Sequence, residues 1–483
     1  MGQSSNIRTI IALVLITLAG FGMRLCSISQ NSLSLDEGYT LFLAKKSTPE
    51  MLHSIMADDN HPPLHYLLMK LWVPIAGQSE FALRLPSAVA GTLAVPAAYA
   101  LAAAAFGSGT GIAVACILAV SRYNLALSQE GRGYSLMVLL GILSYYFFFL
   151  IQSRPARKNI VLYVVSTILL FYTHYYGAFV ILGQVLYFAY KLAALPRENK
   201  TGYLKSNMII FGVVFLFCAP WLPVMFFRAR AEAPLTRFGS LLTKEIFVAF
   251  GTYAGSILAL LVFMFILIAW MIQQRRNLFS KATWETENGA WALFICWVTA
   301  VIIIPYIFSF FTVPFFTRRC AVTASIPFYI LIAFTVYRIN LRFLRIILLA
   351  ALFFTCIFED LRYFSAPINP RWKECSRMID EVKKDGDALV FSPAGCRDYV
   401  FSYYSKKRPS HCFLYPIHDA PVSGETKSMI DTLKKYPTIY FARGSEILDN
   451  GAFESALARG FAMKDSVEFG KLVMYKVENR VAK

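Results

Sequence analysis

The stretch Asp58-Asp59-Asn60-His61-Pro62-Pro63-Leu64-His65-Tyr66 lies inside a polar segment, Leu33 to Pro86, which separates the first two hydrophobic runs of the chain. This segment opens on Ser34-Leu35-Asp36-Glu37-Gly38-Tyr39. Its acidic residues are Asp36, Glu37, Glu50, Asp58, Asp59 and Glu80, whereas the rest of the chain is mainly basic and apolar. Because ionisable groups held between membrane spans are costly unless they are used, we expect this segment to carry a functional site.

The composition of the chain requires a lipid environment. Hydrophobic residues make up 57% of the 483 residues, charged residues only 16%, and the mean hydropathy is +0.53. A soluble globular protein does not reach these values. The sequence therefore predicts an α-helical integral membrane protein.

Eleven apolar runs are interpreted as transmembrane helices. They lie near residues 8–27, 85–106, 109–121, 133–152, 159–173, 176–194, 207–227, 246–272, 289–311, 321–338 and 342–358. With the N-terminus inside, the short loops on the cytoplasmic side are strongly basic, as the positive-inside rule requires. Topology thus explains much of the net charge of +18, and the case for a nucleic-acid partner is lost.

The chain divides into a transmembrane domain, residues 1–358 with a long first outer loop at about 28–85, and a tail, residues 359–483. In the tail, β-like runs at 388–392, 438–442 and 471–477 alternate with helical patterns at 371–384, 427–436 and 452–459. An odd number of spans places this tail outside, so we predict a small extracytoplasmic α/β domain. One disulfide among Cys375, Cys396 and Cys412 is left open.

Two local patterns predict that the first outer loop is ordered. Thr48-Pro49-Glu50 is typical of a helix start, with threonine as the N-cap and proline at the first helical position. Pro62-Pro63 precedes apolar residues at helical spacing over Leu64–Trp72. We expect amphipathic helices at the membrane surface.

The acidic pair Asp36-Glu37 lies just beyond the first span, at the predicted water boundary. A carboxylate there is suited to accept a proton from a hydroxyl group as that hydroxyl attacks a substrate. The alternative is a helix N-terminus at which the two acids favour the helix dipole.

The second acidic cluster of the loop leaves three alternatives open. Asp58, Asp59, His61 and His65 offer oxygen and imidazole ligands for a divalent cation. The same residues are equally suited to form the wall of a binding site or an exposed turn.

Further polar residues fall on the outer side. Glu130 and Arg132 lie at the mouth of the fourth span, where charge is costly unless it faces protein, water or ligand; a structural ion pair is the alternative. His174 lies among tyrosines of the kind found in interfacial belts, which explain the tyrosines better than the histidine. Arg318 and Arg319 have the planar guanidinium that suits phosphate, although outer-side arginines also snorkel to lipid headgroups.

In their order along the chain, these motifs resemble the polytopic glycosyltransferase superfamily of GT-C fold, and within it the bacterial branch of protein O-mannosyltransferases and the lipid A aminoarabinose transferase. The resemblance is good over residues 1–340. The matching stretches are Ser34 to Tyr39, Asn60 to Tyr66, Arg84-Leu85-Pro86, Gln129 to Tyr134, Thr173-His174-Tyr175 and Thr317-Arg318-Arg319-Cys320. The chain departs from many relatives at Gly131 and at Cys320, and the second departure leaves open which of Arg318 and Arg319 points into the site.

The resemblance implies a membrane glycosyltransferase that uses a polyprenyl-phosphate sugar, a hexose or a pentose, at the outer face of the cytoplasmic (inner) membrane. Its acceptor is a hydroxyl group of a lipid, a glycan or a protein. By the same resemblance Asp36 is the catalytic base, with Glu37 beside it, and Glu130 belongs to the site. Because of their charge and their predicted position on the outer side of the membrane, we hypothesise that the following residues bind the donor phosphate: Arg84, Arg132, His174, Arg318 and Arg319. Arginines can supply this charge without a metal, so the resemblance implies no definite cofactor, and a divalent cation stays open.

Two rival functions remain at this point. A transporter or flippase of lipid-linked glycans predicts charges buried at mid-membrane and broken helices. A noncatalytic membrane scaffold that presents the tail predicts that a change at Asp36 is harmless.

Overall fold

The chain is described by a computed structural model. It describes residues 2–59, 61–153, 155–231, 242–254, 287–311, 316–339, 341–365, 370–392, 395–407, 410–414, 424–444 and 461–479, with residues 260, 261, 264, 265, 268 and 457.

Helices dominate the first three quarters of the chain. The first thirteen are α1 (Gly2–Leu25), α2 (Leu35–Lys45), α3 (Thr48–Asp58), α4 (Leu64–Ala76), α5 (Glu80–Phe106), α6 (Ser108–Ala119), α7 (Arg122–Ser128), α8 (Tyr134–Ser153), α9 (Arg157–Thr173), α10 (Gly177–Ala194), α11 (Arg197–Cys218), α12 (Leu222–Ala231) and α13 (Leu242–Ala254). Helices Glu287–Val298, Ile304–Phe311, Ser325–Tyr337 and Arg342–Ser365 follow, with a π-helix at Thr299–Ile303 and a 3-10 helix at Cys320–Ala324.

Among the described residues, seven helices are long and apolar enough to cross a membrane. An eighth is formed if α6 and α7, which are bent by 57° at Val120-Ser121, are one broken span. The predicted spans at 159–173 and 342–358 are also helical, in α9 and Arg342–Ser365. The predicted span 246–272 lies largely outside the described residues. The predicted fold, a polytopic helical membrane protein with a C-terminal α/β domain, is confirmed.

The first outer loop is helical because its sequence caps each helix. In α2 the Ser34 hydroxyl accepts a hydrogen bond from the Glu37 amide, and the Glu37 carboxylate accepts one from the Ser34 amide. The same reciprocal box joins Ser47 and Glu50 at the start of α3. The predicted threonine N-cap was therefore wrong by one residue, since the serine before Thr48 supplies the reciprocal bonds.

Contacts within the chain divide it into two compact units. The first unit contains Met1–Cys26, Ser47–Leu68 and Arg84–Arg362. The second contains Ser27–Lys46, Met69–Leu83 and Tyr363–Lys483. Composition did not indicate that two segments of the first outer loop belong to the same unit as the C-terminal residues.

The core of the first unit is built from apolar and aromatic side chains of the predicted spans. The rings of Tyr145 and Trp297 stack with centroids 3.7 Å apart, and both side chains are fully buried. A Cβ at Gly183 would lie 2.3 Å from the Tyr145 hydroxyl oxygen, so a glycine is required for this close approach. Such packing fixes the helices that carry the polar residues described below.

The C-terminal part of the second unit contains a five-stranded sheet. Its strands are β1 (Ala388–Ser392), β2 (Cys412–Leu414), β3 (Thr438–Gly444), β4 (Phe461–Phe469) and β5 (Leu472–Asn479), in the order β2-β1-β3-β5-β4. β1 pairs in parallel with β2 and β3, whereas β5 pairs antiparallel with β3 and β4. Since β1 is buried along its whole length, both faces of the sheet are covered at this strand, whereas most of the edge strand β4 is exposed.

Three β-like runs predicted from the sequence coincide with β1, β3 and β5, and two predicted helices coincide with Trp372–Val382 and Gly424–Leu433. The predicted helical pattern at 452–459 lies almost wholly outside the described residues. All nine cysteines are free thiols, including Cys375, Cys396 and Cys412.

Candidate functional site

A buried arginine organises the polar residues of the first unit. Arg132 lies in the turn between α7 and α8 and is only 4% exposed. Its guanidinium donates to the Tyr66 hydroxyl over 3.0 Å, and its other terminal nitrogen lies 3.1 Å from His61 Nδ1. The Ser87 hydroxyl donates to its carbonyl oxygen over 2.9 Å. These contacts hold one positive charge in a fixed orientation.

A carboxylate lies next to this guanidinium. His61 Nδ1 is 3.0 Å from Asp59 Oδ1, and Tyr66 is also hydrogen-bonded to Asp59. Burial favours a higher pKa for Asp59, but the hydrogen bond with His61 and the charge of Arg132 outweigh it and hold this pKa below its usual value. The site thus contains an ionised Asp59 and a cationic Arg132, with His61 between them.

Two further histidines next to the guanidinium are neutral. His65 is 7% exposed and its Nε2 lies 3.1 Å from the Gly131 carbonyl oxygen. Burial and the nearby Arg132 charge lower the pKa of His65 to about 3. His174, with its ring centroid 4.9 Å from that of His61, also has a pKa well below the usual value, because it is buried and lies beside His61 and Arg132.

The segment Thr317 to Cys320 lies against the same group. Cys320 Sγ is 3.6 Å from His174 Nε2, and a nitrogen of Arg319 is 3.7 Å from a carboxylate oxygen of Glu130. The Arg319 side chain is 50% exposed and thus remains largely in contact with solvent. The Arg318 carbonyl accepts a hydrogen bond from the Tyr123 hydroxyl, while the Arg318 side chain is exposed.

The structure brings together most of the residues predicted to form the donor site. Glu130, Arg132, His174 and Arg319 join Asp59, His61 and His65 in this group, which we name the Arg132 cluster together with Tyr66. Arg84, on α5, is fully buried at 2% exposure. The Asp58 side chain lies outside the described residues.

No role of Tyr66 is predicted from the sequence, although this residue ends the stretch Asp58 to Tyr66. Its hydroxyl accepts from Arg132 and is hydrogen-bonded to Asp59, so it links the two charges of the cluster. Its position directly after a polar run, at the start of a helix that is mostly apolar, was the available signal.

Asp36 and Glu37 lie in the second unit, on the first turn of α2. Their environments differ: Asp36 is exposed, whereas Glu37 is 1% exposed and is bound in the reciprocal cap with Ser34 at 2.8 Å. The alternative interpretation, a helix N-terminus that carries both acids, is therefore met by the structure. Because Glu37 is buried and bound to the backbone while Asp36 faces solvent, Asp36 is the carboxylate of the pair that a reaction partner can approach.

Among the described residues, no group of three or more His, Cys, Asp or Glu side chains is arranged to hold a metal ion. At Asp59 and His61, the Arg132 guanidinium occupies the position next to the imidazole. Its positive charge opposes a cation and favours an anion at this place.

The polytopic helical core and the motifs that its loops carry define a class: the chain has the GT-C fold of polytopic membrane glycosyltransferases, as the resemblance of its sequence predicted. Residues 60–227 match the family model described as dolichyl-phosphate-mannose-protein mannosyltransferase. No curated protein sequence matches the chain significantly.

Solved structures show the same fold. ArnT from Cupriavidus metallidurans bound to undecaprenyl phosphate has a TM-score of 0.60 at 13% identity, over 96% of this chain and 97% of that chain. The Archaeoglobus fulgidus oligosaccharyltransferase tethered with an acceptor peptide has a TM-score of 0.57 at 13% identity, over 97% of this chain and 74% of that chain. AglB from the same organism, in complex with an inhibitory peptide and a dolichol-phosphate, has a TM-score of 0.55 at 12% identity, over 98% and 74%.

Proposed function

We propose that the protein is a membrane glycosyltransferase that moves a sugar from a polyprenyl-phosphate donor to a hydroxyl acceptor. The observation that carries this proposal is the buried, oriented guanidinium of Arg132 within the segment that matches the mannosyltransferase family model. A buried arginine with fixed hydrogen bonds is suited to a phosphate group. The related structures that contain undecaprenyl phosphate or a dolichol-phosphate support the same donor class.

The Arg132 cluster supplies the charge that the leaving phosphate needs. As the bond between the anomeric carbon and the phosphate oxygen breaks, negative charge develops on that oxygen, and a preorganised guanidinium stabilises it. The His61 side chain is 23% exposed, which makes it the accessible partner of the buried Arg132. Asp59 compensates the guanidinium charge before the donor binds.

Asp36 supplies the base. Its carboxylate accepts the proton of the acceptor hydroxyl while the hydroxyl oxygen forms the new bond to the anomeric carbon. Its exposure at the start of α2 supports this role, and the bonds of Glu37 to Ser34 support a capping role for Glu37. The transferred sugar is a hexose or a pentose, and the acceptor belongs to a lipid, a glycan or a protein.

The proposed location is the cytoplasmic (inner) membrane, with the C-terminal domain on the extracytoplasmic side, which is the periplasm in a Gram-negative cell. The basic loops that the predicted topology places inside support this orientation. A transmembrane domain over 1–358 and an outer domain over 359–483 remain the proposed organisation.

The transporter alternative predicts a broken span and buried charge, and α6–α7 with Arg24 has both features. However, the Arg24 guanidinium donates to the carbonyl oxygens of Leu118 and Ala119, each over 3.2 Å. These are carbonyls at the end of α6, which the break leaves without helical partners. Arg24 therefore satisfies the carbonyl groups that the break exposes, and this structural role accounts for its buried charge. The broken span does not specifically support transport.

The test is transfer by purified protein in lipid, with a panel of radiolabelled polyprenyl-phosphate sugars and extracted envelope fractions as acceptors. We expect label from one donor class to enter one fraction, and Arg132→Ala to abolish this transfer. Parallel reactions with EDTA test the divalent-cation alternative at Asp58, Asp59, His61 and His65.

Absence of label in every fraction, from a folded protein and all donors, would refute the proposed function. Movement of intact donor across the vesicle membrane without transfer would instead support the transporter. Transfer that Arg132→Ala leaves unchanged would remove the Arg132 cluster from the donor site.

A further inference from the structure

Within the second unit, the helix that carries Asp36 packs directly against residues of the C-terminal domain. A Cβ placed on Gly38 of α2 would lie 2.4 Å from the carbonyl oxygen of Tyr399 and 3.0 Å from Cγ2 of Val400. Only glycine permits this approach of two backbones. Gly38 lies two residues after Asp36, so the contact is made within the first turns of the helix.

Aromatic side chains extend this contact along α2. The ring of Tyr399 packs against two rings of the helix, with its centroid 5.1 Å from that of Tyr39 and 5.1 Å from that of Phe42. Leu41 of the same helix is buried in one apolar core with Val400. The rotation of α2 about its axis is therefore determined by the C-terminal domain.

A second contact holds the chain just before the helix. The Tyr404 hydroxyl accepts a hydrogen bond from the Leu33 amide over 2.8 Å and donates one to a Glu80 carboxylate oxygen over 3.1 Å. Leu33 is fully buried and directly precedes Ser34, the N-cap of α2. One phenol group thus fixes the point at which the chain enters the helix.

We propose that the C-terminal α/β domain positions the catalytic base, with Tyr399 and Tyr404 as positioning residues that act on Asp36 through Gly38 and Leu33. The inference rests on the proposed function, in which Asp36 is the base. A base must lie within hydrogen-bond reach of the proton it removes, and a displacement of 1 Å costs about a hundredfold in rate. The C-terminal domain thereby acquires a role in the reaction.

The first test is Tyr404→Phe, which removes both hydrogen bonds and keeps the ring. The matched control is Tyr403→Phe, because the Tyr403 hydroxyl donates over 2.8 Å to the Gln78 carbonyl, away from the entry to α2. We expect Tyr404→Phe to lower kcat roughly fivefold with an unchanged KM for the donor, whereas Tyr403→Phe leaves both within about twofold.

The second test is Gly38→Ala, which forces α2 away from the Tyr399 carbonyl. Its control is Gly386→Ala, since a Cβ at Gly386 meets no atom within 4 Å. We expect a fall in kcat of at least about tenfold for Gly38→Ala, with no change for Gly386→Ala. A shift of the acid limb of the kcat–pH profile in Gly38→Ala would show that the base itself has been disturbed.

Amide hydrogen exchange of the full-length protein gives a readout that does not need activity. Tyr404→Phe should accelerate exchange at residues 33–37, and Tyr403→Phe should not.

If Tyr404→Phe accelerates exchange but the wild-type protein has no transferase activity, the contact between the domain and α2 is supported and the proposed function is refuted. An active wild type in which Tyr404→Phe and Gly38→Ala keep their kcat would refute the positioning role. The positioning role would also be refuted if the variants lost turnover only because they unfold, as shown by a lower melting temperature that accounts for the whole loss.

Discussion

Replacing Asp36 by asparagine tests which of the two neighbouring carboxylates, Asp36 or Glu37, acts as the base. The amide of the new side chain keeps the size and shape of the carboxylate but cannot accept a proton at neutral pH. General-base catalysis contributes roughly 10²- to 10⁴-fold in rate, equivalent to about 3–5 kcal/mol of barrier. Asp36→Asn should therefore lower kcat by at least about a hundredfold.

The same change should hardly affect stability. Asp36 is exposed, and loss of its charge removes its interaction with the dipole of α2, which is worth about 0.3–1 kcal/mol. Glu37→Gln is the matched variant: a glutamine at this position still accepts from the Ser34 amide, as in other capping boxes. We expect Glu37→Gln to lower kcat by less than about tenfold.

The assay is initial-rate transfer of radiolabelled sugar, with melting temperatures measured on the same protein samples. Normal turnover in a stable Asp36→Asn variant would refute the assignment of the base. If kcat fell by a hundredfold in Glu37→Gln while Asp36→Asn stayed active, the base would be Glu37, and the capping argument would be wrong.

Arg132→Lys keeps the charge but loses the planar guanidinium that contacts Tyr66 and His61, so the donor KM should rise about tenfold or more in donor titrations; an unchanged KM would contradict an oriented phosphate contact. Because His65 is neutral in the fold with a pKa of about 3 and is protonated near pH 6.5 when unfolded, stability should be fully present above pH 6.5 and fall by about 2 kcal/mol at pH 5. His65→Gln should flatten this dependence in melting curves between pH 7 and 5, and an unaltered slope would exclude His65 as its source. Asp360, which is buried near the end of helix Arg342–Ser365, should act in the opposite direction: burial raises its pKa to about 7 against the opposing charges of Arg122 and Arg24, so stability should fall as pH rises from about 4 to about 7. Asp360→Asn should remove that fall, and persistence of the full effect in the variant would contradict the assignment.

Much of the fold could be predicted because its signals are local. A membrane span depends on the summed hydropathy of about 20 consecutive residues, so the apolar runs were visible without any tertiary contact. Helix starts such as Ser47-Thr48-Pro49-Glu50 depend on four residues, and the prediction missed only which of them is the cap. The strands β1, β3 and β5 carried enough β-branched and aromatic residues to be predicted from composition.

The candidate site was predicted as a set of residue types and not as an arrangement. Charge and the predicted side of the membrane selected Glu130, Arg132 and His174, but could not show that Tyr66 would link Asp59 to Arg132. Nor could they separate Asp36 from Glu37, whose difference in burial arises from the packing of α2.

Hydropathy and helix capping act over short stretches of neighbouring residues, so the amino-acid sequence was enough to predict a polytopic membrane protein with helices in its acid-rich first loop. The contact of His61 with Arg132 joins residues 71 positions apart, and that of Leu33 with Tyr404 joins residues 371 positions apart, so both are known only from the fold. Such contacts depend on how whole helices and strands pack, and no local pattern specifies which side chains will face one another. The assignment of α2 to the same compact unit as the C-terminal domain was decided in this way.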